Sequence, residues 1–179
     1  NTSMDETTVG KIPSTWSVDR LGNISEDSLY GASKSAEKFS EDKPRYIRIT
    51  DISEDGNRLK SDDKKSLSKE KAEKYLLEPG RILFARSGAT VGKTYLYREE
   101  DPEAVYGGYL IRFEPNKDVI LPEFLFYYTH STKYYNWVER VTRKGAQENI
   151  NAQEYSSILL PIPPLEEQRK IVETLEKMD

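Results

Sequence analysis

The chain has 179 residues, enough for one compact domain with a real core. Apolar residues make up 36% and charged residues 32%, with 12 Tyr, 5 Phe and 2 Trp, an aromatic supply that argues for folding over disorder. Without cysteine there are no disulfides or thiolate metal sites, one histidine is too few for an imidazole metal site, and a net charge of −4 excludes a generally basic nucleic-acid binder.

Any DNA contact therefore has to come from a local cationic face. Lys133, Arg140, Arg143 and Lys144 are opposed over their stretch only by Glu139, whereas the acidic excess sits in residues 51–63 and 99–103. No run of about 18 apolar residues predicts a transmembrane helix, and no basic start with an apolar core predicts a secretory signal. The lack of cysteine is compatible with a reducing compartment, so a cytoplasmic location is the expectation. The first residue is Asn1 and a helical pattern runs through to Asp179, which suggests a piece of a longer protein with Met4 as a candidate start.

In chain order, residues 34–43 are polar and loop-like, and Tyr46, Ile47, Arg48 and Ile49 read as a short strand. After a polar stretch, Ser68 can cap a helix carrying Ala72, Tyr75 and Leu76, which Pro79-Gly80 stops. Residues 81–86, a turn at Ser87-Gly88 and a β-type run over 94–98 predict a hairpin or two neighbouring strands. Gly107-Gly108 precedes a further strand over 109–113. Pro122 opens the longest helix, carrying Phe124, Leu125, Tyr128, Tyr135 and Val138 and stopping near Gly145. Asn151 and Glu154 have the spacing of a capping box, and residues 158–162 predict a last strand broken by Pro161, Pro163 and Pro164. Leu165, Ile171, Val172, Leu175 and Met178 then recur at helical spacing behind Glu166 and Glu167, an amphipathic stripe too short to be stable unpacked.

The chemical motifs are few. The string Gly88-Ala-Thr-Val-Gly92-Lys93-Thr94 looks like a phosphate-binding loop, but that loop needs four residues between its glycines and a helix directly after it. Here there are three, followed by β-like sequence, so glycine-assisted strand connection is the better reading. His130 lies among tyrosines in the long helix, where a lone histidine is an ordinary surface or packing residue. The carboxylates are scattered, with no pair in an apolar setting that would split their pKa values. An Asn or Asp followed by Pro-Pro and an aromatic residue, the adenine-methyltransferase signature, is missing, since Pro163-Pro164 stands between Ile162 and Leu165. No catalytic or metal-binding residue is therefore expected. What remains is basic residues beside turns: Arg86 next to Ser87-Gly88, Lys93 after Gly92, and Arg143-Lys144 before Gly145. Such groups suit phosphates, while Arg, Asn and Gln are also the side chains that read base edges.

The ordered set of motifs adds more than any one of them. Gly10-Lys-Ile-Pro13-Ser-Thr-Trp16, then residues 77–84 (LEPGRILF) with 87–93 (SGATVGK), then 145–151 (GAQENIN) and 160–171 (LPIPPLEEQRKI) together resemble a target recognition domain of the specificity subunits of type I restriction-modification systems. The resemblance covers nearly the whole chain and leaves the loop from about residue 31 to 65 as the variable part. It implies an α+β fold, a twisted, mainly antiparallel sheet with flanking helices, followed by the start of a long amphipathic spacer helix. It divides the chain into a recognition domain over residues 1–163 and the start of the spacer over 164–179.

By the same resemblance, this chain reads one half of a split double-stranded DNA target and is not itself an enzyme. S-adenosylmethionine would belong to a modification (methyltransferase) subunit and ATP to a restriction subunit, with no cofactor here. Arg86, Lys93, Arg143 and Lys144 are the first candidates for phosphate contacts, and Lys34, Arg45, Arg48, Lys60 and Gln147 the second group for base or loop contacts. Gly88, Gly92, Gly145 and Pro164 are assigned to backbone shape. Leu165, Ile171, Val172 and Leu175 are expected to pack on a second recognition domain, a second copy or a partner. Three other readings stay open: DNA recognition inside a fused or homodimeric assembly, a protein interaction module that regulates a methyltransferase without reading DNA, and a nucleotide-hydrolysing enzyme that would bind ATP or GTP through Lys93.

Overall fold

Ile82, Leu83, Phe84 and Ala85 are an unbroken apolar run because the strand they form is covered on both faces. In the computed structural model, which describes residues 3–7, 9–143 and 148–178 without the side chains of Glu6 and Arg143, side chains of this strand alternate between two cores. Ile82 and Phe84 join one cluster, and Leu83 and Ala85 the other.

The chain opens with β1 (Met4–Thr7) and β2 (Gly10–Pro13), an antiparallel pair. β3 (Ser17–Arg20), β4 (Ser25–Tyr30), β5 (Glu37–Lys38) and β6 (Arg45–Ile47) follow. Next come a 3-10 turn at Ile49–Asp51, β7 (Lys65–Ser66), α1 (Lys69–Ala72) and a second 3-10 turn at Glu73–Tyr75. The apolar strand is β8 (Ile82–Ala85), then β9 (Thr94–Leu96), β10 (Ala104–Tyr106) and β11 (Leu110–Pro115). α2 (Pro122–Tyr128), α3 (Thr132–Arg143), α4 (Ala152–Ser156), β12 (Leu159–Ile162) and α5 (Leu165–Met178) complete the order.

The central sheet has the order β4-β11-β8-β9 and is antiparallel throughout. A second sheet, β10-β6-β7-β5, contains a parallel pair, β10 with β6; β12 pairs with β3 in a separate ribbon. The fold is thus α+β with mainly antiparallel strands, as the sequence implies. The helices cover one face of the central sheet, where Phe84 and Phe113 meet edge to face at 5.2 Å among residues of α2, α3 and α4. The second sheet covers the other face, its Ile47 and Tyr106 clustering with Leu83, Ala85 and Tyr95 of the central sheet. Arg112 points into that second core and is neutralised by Asp27 at 2.7 Å.

The helix expected to run unbroken from Pro122 is two, because Thr129 turns its hydroxyl back onto the Phe126 carbonyl (2.6 Å) and shares it with Thr94 (2.7 Å). Ser131 then restarts the chain as α3, its Oγ accepting from the Tyr134 N–H at 3.2 Å.

α4 begins as the spacing predicts, with Asn151 Oδ1 accepting from Glu154 N (2.8 Å) and the Glu154 carboxylate from Asn151 N (3.0 Å). Asn151→Ala is expected to cost about 1 kcal/mol, read from the urea midpoint.

The Pro-Pro-Leu-Glu-Glu-Gln string has a packing explanation. Gln168, fully buried at the start of α5, donates to the carbonyls of Pro163 (2.8 Å) and Val119 (2.9 Å) and accepts from Leu121 N (2.8 Å). Trp16 donates to Glu167 at 2.7 Å, so α5 is fastened at its first turn. Val172 is buried in this chain's own core, with Ile171 packed beside it. That corrects its assignment to an external partner; Leu165 and Leu175 are half-buried.

Candidate nucleic-acid interface

Gly31 and Gly107 let two backbones cross where side chains would forbid it. A Cβ on Gly31 would lie 2.0 Å from the Gly107 carbonyl oxygen, so glycine is required at that crossing. Beyond it the Tyr46 hydroxyl lies 3.1 Å from the Ala32 carbonyl and 2.9 Å from that of Lys34, fixing the segment after β4. The end of β4, this segment, the Arg48–Thr50 turn and the Gly107-Gly108-Tyr109 turn together enclose a cleft of about 860 Å³.

Two tyrosines stand at the cleft, Tyr109 with 66% of its surface exposed and Tyr30 with 37%. The Arg86 guanidinium lies over the Tyr30 ring, 4.9 Å from its centroid. Tyr30 is itself held, its hydroxyl accepting from Ala152 N at 2.8 Å. Arg86 Nε is buried without a hydrogen-bond partner among the described residues. Lys34, Arg48 and Arg86 line the cleft and, among the described residues, no carboxylate does. Their charges are not equally available. Arg48 is gripped by Asp51 through Nε (2.9 Å) and Nη2 (3.0 Å), and that pairing holds its guanidinium more firmly protonated than usual. Lys34 and Arg86 have no acidic partner among the described residues, and they carry the uncompensated charge.

The other sequence-predicted residues divide. Arg45 is 5% exposed, lies 3.5 Å from Asp51 and donates to the Lys60 carbonyl. This corrects its assignment to DNA, because it is buried in an ion pair beneath the surface. Lys60 is half-buried, its backbone N–H bonded to the Asp51 carbonyl at 2.7 Å. Lys93 donates to the Ile52 carbonyl at 2.8 Å, and burial, with the nearby charge of Lys60, pushes its ammonium below the ordinary lysine range. It is a clamp between two segments rather than a free cation. Lys144 and Gln147 lie outside the described residues, as does the Arg143 side chain at the end of α3. The segment that follows rejoins the rim: Ile150 N donates to the Arg86 carbonyl at 2.8 Å and Gly88 N to the Glu148 carbonyl at 3.2 Å.

The loop resembling a phosphate binder is a turn between β8 and β9, with positive φ at Gly88 (81°) and Gly92 (94°). Buried tyrosines fix it, the Tyr155 hydroxyl accepting from Gly92 N (3.1 Å) and the Tyr134 hydroxyl donating to the Gly92 carbonyl. A strand, not a helix, follows, so its amides make no phosphate cradle. Lys93→Met is expected to change stability by no more than about 1 kcal/mol, since the lost bond to Ile52 and the relieved burial oppose each other. Chemical denaturation checks this, and the DNA preference of the variant should match that of the parent.

His130 holds no catalytic arrangement: its ring nitrogens face the carbonyls of Phe126 (2.8 Å) and Asp55 (2.9 Å). Among the described residues no acidic and histidine side chains gather as metal ligands, and no helix is long and apolar enough to cross a membrane.

A family model described as the type I restriction modification DNA specificity domain matches residues 13–179. The chain belongs to that family. The type I restriction enzyme MjaX specificity subunit of Methanocaldococcus jannaschii is 30% identical over 179 residues, covering 97% of this chain and 42% of that protein. The Escherichia coli EcoBI specificity subunit is 27% identical over 173 residues, covering 93% of this chain and 35% of that one. The HsdS subunit from Thermoanaerobacter tengcongensis has the same fold at a TM-score of 0.62 and 21% identity, covering 97% of this chain and 39% of that one. A chain from a structure of a type I restriction-modification assembly matches at a TM-score of 0.70 and 24% identity, covering 93% of this chain and 39% of its own length. The specificity domain seen here therefore spans less than half the length of these relatives.

Tyr109, Tyr30, Asp51 and Gln168 were not among the residues singled out as functional from sequence. An aromatic residue directly after Gly107-Gly108 was the available signal for Tyr109.

Proposed function

We propose that this chain recognises DNA sequence and reads one half of a bipartite target for a methyltransferase that acts on adenine. The observation that carries the proposal is the cleft in which Lys34 and Arg86 stand, with no acidic partner among the described residues, beside exposed Tyr109, within a chain whose total charge is −4. Cations concentrated on one surface of an acidic protein direct a polyanion to that surface. Phosphate contacts from Lys34 and Arg86 set the register, and the side chains around Tyr109 meet the bases. Arg143, Lys144 and Gln147 are further candidates for phosphate or base contact.

The chain divides into the recognition domain, residues 1–163, and the start of a spacer, residues 164–179, of which the first turns belong to the domain core. Leu165 and Leu175 pack against a second recognition domain, or a second copy, further along that helix. The partners are a modification subunit holding S-adenosylmethionine and a restriction subunit using ATP. Selection from a randomised duplex pool, with and without the methyltransferase, tests the reading. Sequence enrichment supports it; no enrichment in either arm overturns it in favour of a regulatory interaction module.

A further inference from the structure

DNA recognition normally sends protein into DNA, a helix or ribbon entering a groove. The cleft beside Tyr109 has the opposite shape. It is a recess of about 860 Å³, within the roughly 300–1,000 Å³ of sites that enclose small molecules, and a duplex lying across its mouth leaves it empty. Its chemistry is that of a nucleotide site. Ala36 and Ile49 supply apolar wall, Tyr30 and Tyr109 supply ring faces, and Lys34 and Arg86 supply positive charge with no carboxylate lining among the described residues. Tyr109 is the most exposed aromatic side chain among the described residues, and Tyr30 is another that exceeds a third. Arg86 Nε is a buried donor still lacking an acceptor.

From this combination we infer that the cleft receives one nucleotide swung out of the bound duplex, its base stacked against Tyr109 and its phosphate or base edge answered by Arg86 and Lys34. The inference rests on the DNA-recognition reading and adds a specific event to it. Extrusion costs unpairing and unstacking, which stacking on an aromatic face offsets. A nucleotide already unpaired pays less, so a mismatch at the extruded position strengthens binding, whereas a mismatch at a base-reading position does not.

The test uses the full-length protein without the methyltransferase, on a duplex enriched from the randomised pool, with the opposing base replaced at one position at a time. The expected result is binding about tenfold tighter at one position only, the signature of a base already freed from its partner. Tyr109→Ala and Arg86→Gln, each checked by its urea midpoint, are expected to lose that gain. Sequence-selective binding with no gain at any position overturns the inference and leaves DNA recognition standing. A gain that survives both substitutions also overturns it, by placing the extruded base elsewhere. Absence of any selective binding removes both readings together.

Discussion

Asp51→Ala is expected to lower the unfolding free energy by about 3–5 kcal/mol, the range for stripping one partner from a buried ion pair. Asp51 is 2% exposed and faces two guanidinium groups, Arg48 through two bonds and Arg45 at 3.5 Å. It also accepts from the Arg48 N–H at 2.8 Å, which closes the turn after β6. Alanine leaves Arg45 charged, 5% exposed and without its counter-ion. Asp51→Asn keeps an acceptor for that turn and should cost less. The same change strips Arg48 of its buried carboxylate and leaves it only the exposed Asp63, whose carbonyl it bonds at 2.7 Å and whose carboxylate lies at 3.8 Å. Binding of the folded variant to unselected DNA is therefore expected to rise, with a steeper salt dependence, as one more cation becomes available for phosphate. A loss below about 1 kcal/mol would mean that water, not Asp51, satisfies these arginines.

Why the sequence led only part of the way is visible in the same residues. β8 was legible because both its faces are buried, so four apolar residues run together. β4, Ser25–Tyr30, was not, because it is mostly exposed and reads as polar loop, yet it pairs with β11 over its length. β10 is three residues long and follows an acidic run, and only its parallel pairing with β6 makes it a strand. The split between α2 and α3 was available in Thr129 and Ser131, both able to bond their own backbone, but the apolar periodicity on either side masked it.

At the site, residue types were readable and their partners were not. Arg45, Arg48 and Lys93 each carry a cation beside a turn, as Arg86 does. Folding delivers Asp51 to the first two and the Ile52 carbonyl to the third, which turns them into internal fastenings. Asp51 lies three residues after Arg48, a spacing that could have flagged the pair. Gln168 shows the converse. Within the motif that made the family resemblance specific, Gln168 has a packing role, bonding the backbone of Pro163, Val119 and Leu121.

Removing the two cleft cations, Lys34→Ala with Arg86→Gln, is expected to weaken binding to the selected duplex by about tenfold to a hundredfold, and to flatten its salt dependence by about one unit of slope per cation. Two effects could produce such a loss, and they separate. The whole protein's field would weaken with any two positive charges removed, since the net charge falls from −4 by two in either case. Lys38→Ala with Lys170→Ala makes that same change at two exposed side chains away from the cleft lining. If location matters, the cleft pair loses far more affinity than this control. Equal losses would mean that a diffuse field, and no defined surface, draws the DNA. Arg86 adds a further distinction, because its guanidinium carbon lies over the Tyr30 ring at 4.9 Å from the centroid and its planar fork offers several donors, which an ammonium does not reproduce. Arg86→Lys should therefore keep the salt slope while losing part of the preference among sequences, a separation that counter-ion release alone does not give.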